Sequence, residues 1–526
     1  MTMIHRFAVP CGTCRSFTKR LRSESIPALF LLPRQSAPFS TNADEDSPSH
    51  YGVAAHRYRS RLDAAAAADS AAGVSPTTIL SHAGLPLHIS AHSTEMKNNA
   101  HHESNSNEPL SPPLNLATTY SRPASGNYND ADGGKGQIYG RTDNATREIL
   151  EQTVGALELM PYPRAESDER IQHTAETTDT GKETVACSSG MAAVSTLLLA
   201  HPPPVHVILP EDVYHGVPTL LHTVLQHHGM RFSSVDMRDA DKVEQAVREY
   251  ATQGSDSVGE KGSVVLWMES PSNPLLNVAD VSALTSLVER IRGDLVALDS
   301  SSSPRMLSTV VDSTLFPPPL SCPLLSGTDF VVHSATKYLG GHSDALLGVV
   351  TASPFSYAGR QLASRIRQVQ QVTGCQASAF DAWLVLRGMR TLHVRAERQC
   401  KTALKVAQFL EKQALVTKVH YPGLSSHPDH HLATRTMPEG LYGGMLSFEV
   451  DDDRYAMAVA GAVRVIERGT SLGGTETLID HRASIEPEDR RVSPPGLLRM
   501  SIGLVAAEDL IADLERALHV AEQVVE

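Results

Sequence analysis

The chain has 526 residues, enough for a large core and a second domain. Hydrophobic residues make up 41% and charged residues 20%, the balance of an ordinary globular protein, and no apolar run approaches the length needed to cross a bilayer. A formal charge of −13 argues against a general nucleic-acid or membrane-surface binder, which needs basic patches to meet phosphates.

The chain starts with Arg6, Arg15, Lys19, Arg20, Arg22 and Arg34, and Glu24 is the only acid before Asp44. This Arg- and Ser-rich start reads as an organelle transit peptide over residues 1–43, mitochondrial first and plastid second; a disordered tail of a cytoplasmic protein fits the same pattern. Cys11-x-x-Cys14 has the spacing of half a zinc site, but no second pair follows and no metal is expected. Residues 44–75 read as a polar, Ala-rich linker, with a short helix over Asp63–Ala72. Residues 76–138 form an N-terminal arm, and Ser90–Pro113 within it has almost nothing to bury. The paired histidines His101–His102, His227–His228 and His430–His431 lack ligand-spaced neighbours and read as solvated surface. The remaining cysteines, Cys187, Cys322, Cys375 and Cys400, are scattered, which predicts no disulfide framework and a reducing compartment.

From Thr184 onward short β-branched runs alternate with helical stretches. Candidate strands are Val205–Leu209, Val264–Met268, Leu295–Leu298, Thr309–Asp312, Phe330–His333 and Leu347–Thr351, and Val281–Arg292 reads as a helix. Continuous apolar strands alternating with helices predict an α/β fold with a mostly parallel sheet covered on both faces. Polar inserts are expected at Pro163–Lys182 and Asp299–Ser308. One long helix is expected over Gln376–Arg395, with Ala379, Trp383, Leu386 and Met389 in the core. A strand at Met445–Val450 and a final helix burying Leu510, Leu514, Ala517, Leu518 and Ala521 follow. The expected division is a large domain over 139–383 and a C-terminal domain over 384–526.

In such sheets ligands sit beyond the carboxyl ends of the strands, so the polar residues closing them matter. Asp329-Phe-Val-Val-His-Ser334-Ala-Thr336-Lys337-Tyr-Leu-Gly340-Gly341 carries the sharpest signal. A lysine beside a buried strand end has a depressed pKa and attacks carbonyls. Ser334 and Thr336 alternate around Ala335, so both can point one way and donate to a phosphate. The local spacing fits a solvated lysine in a strand-to-helix turn equally well. Ser188-Ser189-Gly190-Met191 opens a helix, where free N–H groups attract an anion; close helix packing needs the same small residues. Asp312 can hold a pyridine nitrogen protonated, or cap a turn. Tyr214 can stack on a flat cofactor and handle a proton, or simply pack. Glu269-Ser-Pro-Ser-Asn273-Pro274 closes another strand. Arg499 lies inside an apolar run and needs an anion, either a protein carboxylate or a substrate carboxylate.

Taken in order, these motifs closely resemble the trans-sulfuration enzymes, the Cys/Met-metabolism family that uses pyridoxal 5′-phosphate (PLP). The likeness runs from about Pro76 to the C-terminus. The resemblance implies fold type I, the aspartate-aminotransferase-like fold, with a mostly parallel seven-stranded sheet and a smaller α/β C-terminal domain. It implies that Lys337 forms the Schiff base and shuttles protons, that Asp312 pairs with the pyridine nitrogen, and that Tyr214 stacks on the ring. Gly190, Met191, Ser334 and Thr336 would bind the phosphate. Asn273 would support the ring hydroxyl and substrate, and Arg499 with Ser471 would hold the substrate α-carboxylate. Tyr139-Gly-Arg141 resembles a motif that reaches a neighbouring subunit's phosphate, which implies a homodimer at least and a homotetramer as the usual state.

Several positions depart from the family pattern. Thr470 stands where γ-type enzymes carry glutamate and bacterial β-lyases often carry tyrosine. Ile479-Asp-His-Arg-Ala-Ser484-Ile-Glu486 differs from the common Pro-Ala-Ser-Met-Thr-His form and resembles a divergent eukaryotic branch. His215 precedes Gly216 where two glycines are usual, and Ser313 follows Asp312 where asparagine is common. The leading expectation is carbon–sulfur elimination of the cystathionine γ-lyase type on a sulfur amino acid. γ-Synthase or homoserine sulfhydrylase activity, β-lyase activity and a catalytically weak PLP-binding homo-oligomer are the alternatives.

Overall fold

The computed structural model of the chain describes residues 110–121, 137–159, 183–252, 262–298, 305–486, 491 and 493–525. The expected transit peptide, the Cys11–Cys14 pair, the linker, His101–His102, the Pro163–Lys182 insert and most of the arm lie outside the described residues.

Seven strands form the larger sheet: β1 (Thr184–Cys187), β2 (Val205–Pro210), β3 (Arg231–Val235), β4 (Ser263–Glu269), β5 (Met306–Asp312), β6 (Phe330–Ser334) and β7 (Gly348–Ala352). Their order is β1-β7-β6-β5-β4-β2-β3. Only β7 runs antiparallel to its neighbours. Every residue of β4 is buried, as a strand covered on both faces requires. Trp267 of β4 and Phe330 of β6 are fully enclosed in one core, with helix Gly190–Ala200 packed against it. The opposite face is filled by Ile208, Leu266 and Met268 against helices Ala240–Thr252 and Val281–Leu298.

A second, five-stranded sheet contains β8 (Val416–His420), β9 (Met445–Val450), β10 (Glu467–Arg468), β11 (Leu478–His481) and β12 (Leu497–Ser501), in the order β10-β11-β12-β9-β8. Helix Ala507–Val525 buries Leu510, Leu514, Ala517, Leu518 and Ala521 against it, the expected face.

Four expectations are corrected. Leu295–Leu298 is not a strand; it ends helix Val281–Leu298, which continues through Gly293. A Cβ at Gly293 would meet nothing within 4 Å, so the glycine sits on an open face and only weakens the helix. The Asp299–Ser308 insert is shorter, because Met306, Leu307 and Ser308 begin β5. The long helix over Gln376–Arg395 is two helices, Ala379–Met389 and Leu392–Leu410. At the break a Cβ on Gly388 would lie 1.9 Å from the Gly340 carbonyl oxygen, so the helix closes directly onto the turn beyond Lys337. The buried Arg395 guanidinium donates to the Gly388 carbonyl at 2.9 Å and to the Tyr338 carbonyl at 3.0 Å. The expected division at residues 383 and 384 therefore falls inside helix Ala379–Met389, whose Ala382, Val385 and Leu386 share a core with Tyr338.

Two local details also differ from expectation. Trp383 is only half buried; its Nε1–H donates to the Pro112 carbonyl at 3.0 Å and pins the end of the arm, where Pro112 is buried. Cys187 and Cys375, distant in sequence, share the Thr196 hydroxyl at 3.7 Å and 3.1 Å. Hydrogen bonding to Cys187 and Thr196 holds the Cys375 thiol below its usual range, while the same contact and burial raise Cys187.

Candidate active site

The carboxyl ends of β4, β5 and β6 converge. Glu269 and Asp312 are register partners at the ends of β4 and β5, and Asp312 pairs with Val332 of β6. A cavity of about 330 Å³ opens beyond them. It is lined by Gly190, Met191, Tyr214, Asn273, Asp312, Ser334, Thr336, Lys337, Ser471 and Arg499. Ten of the twelve residues singled out in the sequence thus meet in one place.

At one end, Ser189 caps helix Gly190–Ala200 by accepting from Ala192 N at 3.1 Å. The first N–H groups of a helix have no intrahelical acceptor, so those of Gly190 and Met191 are available to an anion. A Cβ on Gly190 would lie 2.9 Å from Ser334 Cβ; only glycine lets the helix start sit this close to the strand. Ser334 N donates to Thr314 Oγ1 at 2.8 Å, and its own hydroxyl has no protein partner among the described residues. Thr336 is less free than expected. Its hydroxyl accepts from Leu347 N at 2.9 Å and donates to Leu347 O at 3.3 Å, so it must turn from that long bond to meet a phosphate.

In the middle, Lys337 Nζ donates to Ser471 Oγ at 2.8 Å. Burial lowers the Lys337 pKa and the Arg499 charge lowers it further, so more of the amine is neutral and nucleophilic. Asp312 accepts from Thr314 N at 3.0 Å. Burial raises its carboxyl above the usual range, which is the condition a cationic neighbour relieves. Tyr214 N donates to Glu269 Oε2 at 2.9 Å, and Glu269 Oε1 is buried without a partner among the described residues. Burial and then Asp312 push the Glu269 carboxyl well above the usual carboxylate range. Burial and Asp312 also raise the Tyr214 phenol.

At the other end, Arg499 and Asp480 are cross-strand partners in β12 and β11. Arg499 donates to Asp480 Oδ2 at 2.7 Å and to Asn273 Oδ1 at 2.9 Å. The buried arginine expected to need an anion has one, and its guanidinium still lines the cavity. Tyr139 and Arg141 are not among the cavity residues; they are exposed, and Arg141 donates to the Gln371 carbonyl at 2.7 Å. The cavity also includes residues that the sequence reading gave no role, namely Thr314, Leu315, Leu346, Leu472, Arg482 and Ile485. Arg482 and Ile485 carried a signal, as parts of the departing Ile479–Glu486 segment.

A model of the Cys/Met metabolism PLP-dependent enzymes matches residues 161–519. The chain is 34% identical over 415 residues to cystathionine β-lyase of Coxiella burnetii, covering 77% of this chain and 92% of that one. It is 33% identical over 416 residues to cystathionine γ-lyase of Bacillus subtilis, covering 78% and 94%. The chain belongs to the Cys/Met metabolism family of PLP-dependent enzymes. Among solved structures, cystathionine γ-synthase of Xanthomonas oryzae pv. oryzae in complex with cystathionine matches with a TM-score of 0.66 at 29% identity, over 86% of this chain and 99% of that chain. The family member described here is a PLP-dependent carbon–sulfur lyase or transferase with a type I fold.

The cavity residues fit this cofactor. The free helix N–H groups and the unpartnered Ser334 hydroxyl suit a phosphate, Lys337 suits an aldehyde, and the enclosed Asp312 carboxyl suits a cationic ring nitrogen. Tyr214 also lines the cavity, and its aromatic ring is of the kind that packs on a flat ring.

Proposed function

We propose that the enzyme performs γ-type elimination on cystathionine, breaking the Cγ–sulfur bond and, with one water, giving cysteine, 2-oxobutanoate and ammonia. The observation that carries this reading is the Lys337 amine, with its depressed pKa, hydrogen-bonded to Ser471 in one cavity with Asp312 and Arg499. PLP, when bound, supplies the electron sink for the bonding electrons released at the substrate's α-carbon.

The chain's own groups supply the rest. Arg499, fixed by Asp480 and Asn273, offers its guanidinium to the α-carboxylate and so orients the α-proton. Lys337, freed from its resting role, removes that proton and then one from the β-carbon. Ser471 holds the amine on line between the two positions. Tyr214 keeps its phenolic proton at neutral pH and can deliver it to the departing sulfur. Thr470, also at the cavity, adds no charge of its own there.

Purified protein incubated with cystathionine should release 2-oxobutanoate. Pyruvate with homocysteine as the main products would replace this reading with β-elimination. Cystathionine formation from cysteine and an activated homoserine, with no keto acid released, would replace it with γ-replacement. We further propose that the basic, Ser-rich first 43 residues direct the protein to mitochondria, which a fluorescent fusion with and without them tests. We also place Tyr139 and Arg141 at a neighbouring subunit's phosphate in a homodimer or homotetramer, since they are exposed and lie outside their own chain's cavity.

A further inference from the structure

Two guanidiniums line one end of the cavity, Arg499 and Arg482. Arg499 is anchored by hydrogen bonds to Asp480 and Asn273, as described. Arg482 has no such anchor among the described residues. Its side chain is 5% exposed, and its Nε is buried with no hydrogen-bond partner among the described residues. Its terminal nitrogens lie 3.5 Å from Asp480 Oδ2 and 3.6 Å from Glu486 Oε1, beyond good hydrogen-bond geometry. The carboxylate oxygen that faces Arg482 in each of these already accepts another bond. Asp480 Oδ2 accepts from Arg499 at 2.7 Å. Glu486 accepts from Ser493 Oγ at 2.6 Å and from Ser493 N at 3.0 Å. An arginine has five donors, and a buried one with ionic neighbours but no bonded acceptor is left under-satisfied.

The cavity is the open direction from which an acceptor can come. The charge of Arg482 already acts there: after burial, it is the next cause lowering the pKa of His215, another cavity residue. It also opposes the protonation of Arg499, so the two cations share one carboxylate. An anion arriving from the cavity would relieve that imbalance and fill the empty donors.

We propose that Arg482 recognises a second anionic group on the substrate, a carboxylate or phosphate at the end of the side chain remote from the α-carboxylate. This rests on the reading that Arg499 takes the α-carboxylate. It defines the substrate class as amino acids with a distal anion. Cystathionine, with its second carboxylate, belongs to it, as do homoserine esters of phosphate or succinate. Methionine and O-acetylhomoserine do not.

The test uses the PLP-loaded full chain and three unreactive amino acids that differ at the far end: L-norleucine, L-2-aminoadipate and L-2-amino-5-phosphonopentanoate. Affinities are measured by titration calorimetry. At least one of the two anionic analogues should bind about tenfold or more tightly than norleucine, and which of them gains tells carboxylate from phosphate. Arg482→Met should erase that advantage and leave norleucine unchanged, while Arg482→Lys should keep part of it. Equal affinities in the unmodified enzyme would overturn the proposal without any variant. So would an advantage that survives Arg482→Met, or a variant that loses all three ligands equally, which would give Arg482 the α-carboxylate instead. Loss of norleucine binding in Arg499→Met, with the anionic preference of the native enzyme intact, separates the two arginines. Norleucine failing to bind the native, cofactor-loaded protein would sink the parent reading and this one together.

Discussion

The two ends of the cavity are built on different principles. The cofactor end is made by backbone and small side chains at the ends of β5, β6 and helix Gly190–Ala200: two N–H groups, the Ser334 hydroxyl and the Asp312 carboxyl. The end proposed for the substrate is made by long charged side chains from β11, β12 and the turn after β11, with Asp480 between Arg499 and Arg482. The first kind of site is rigid, because moving it means moving a strand. The second can be retuned by single substitutions without disturbing the sheet. A family that keeps its cofactor and changes its reaction needs that division, and two of this chain's four departures from the family pattern, Thr470 and the Ile479–Glu486 segment, fall on the second side.

Lys337 joins the two ends, and its loss should have the largest effect. Lys337→Ala should lower turnover at least about a thousandfold, and borohydride should no longer fix the cofactor to the chain by mass spectrometry. Unchanged turnover would remove the basis for treating the ends as one site. Arg499→Met should come next, lowering kcat/KM by roughly ten- to a hundredfold while cofactor absorbance stays normal.

Arg499→Met has a second signature in the cofactor-free protein. The native pKa of Lys337 is held below the usual lysine range by burial and then by the Arg499 charge. Removing the cation raises it, so at a given pH less of the amine is neutral. The pH at which PLP rebinding reaches half its maximal rate should therefore move upward. A downward move would contradict the assignment.

Arg141→Ala should weaken cofactor retention roughly tenfold, measured by dialysis, if Arg141 meets a neighbouring subunit's phosphate. Co-expression with Lys337→Ala should then restore part of the activity, since a mixed dimer holds one intact site. No restoration would confine the site to a single chain. Ser334→Ala should be mildest, weakening PLP affinity about three- to tenfold with KM for substrate unchanged. A change in KM instead would blur the division between the two ends.

How much was legible follows the same line. Most strands could be read, because Val264–Met268 and Phe330–His333 are continuous apolar runs of strand length bounded by polar residues. Leu295–Leu298 misled because the apolar tail of a helix, set off by Gly293 and Asp294, looks locally like a strand. The break after Met389 was invisible because its cause, the approach of Gly388 to Gly340, is a tertiary contact. Cofactor-end residues could be read because a strand end and its turn are contiguous in sequence, as in Ser334 to Lys337. The role of Arg482 could not, because it depends on the register that sets Asp480 opposite Arg499 and on which carboxylate oxygens are already taken.

Arg395 has one more consequence. It is a buried cation whose hydrogen bonds go to the carbonyls of Tyr338 and Gly388 and to the Thr391 hydroxyl, and burial lowers its pKa to about 10. It therefore stitches the residue next to Lys337 to the start of the helix leading into the C-terminal half. For protein engineering this sets a rule about where parts can be exchanged. A chimaera joined between residues 338 and 395 takes the guanidinium and the carbonyl it serves from different parents. A junction after helix Leu392–Leu410 keeps them together, and is the place to cut when importing a relative's substrate end.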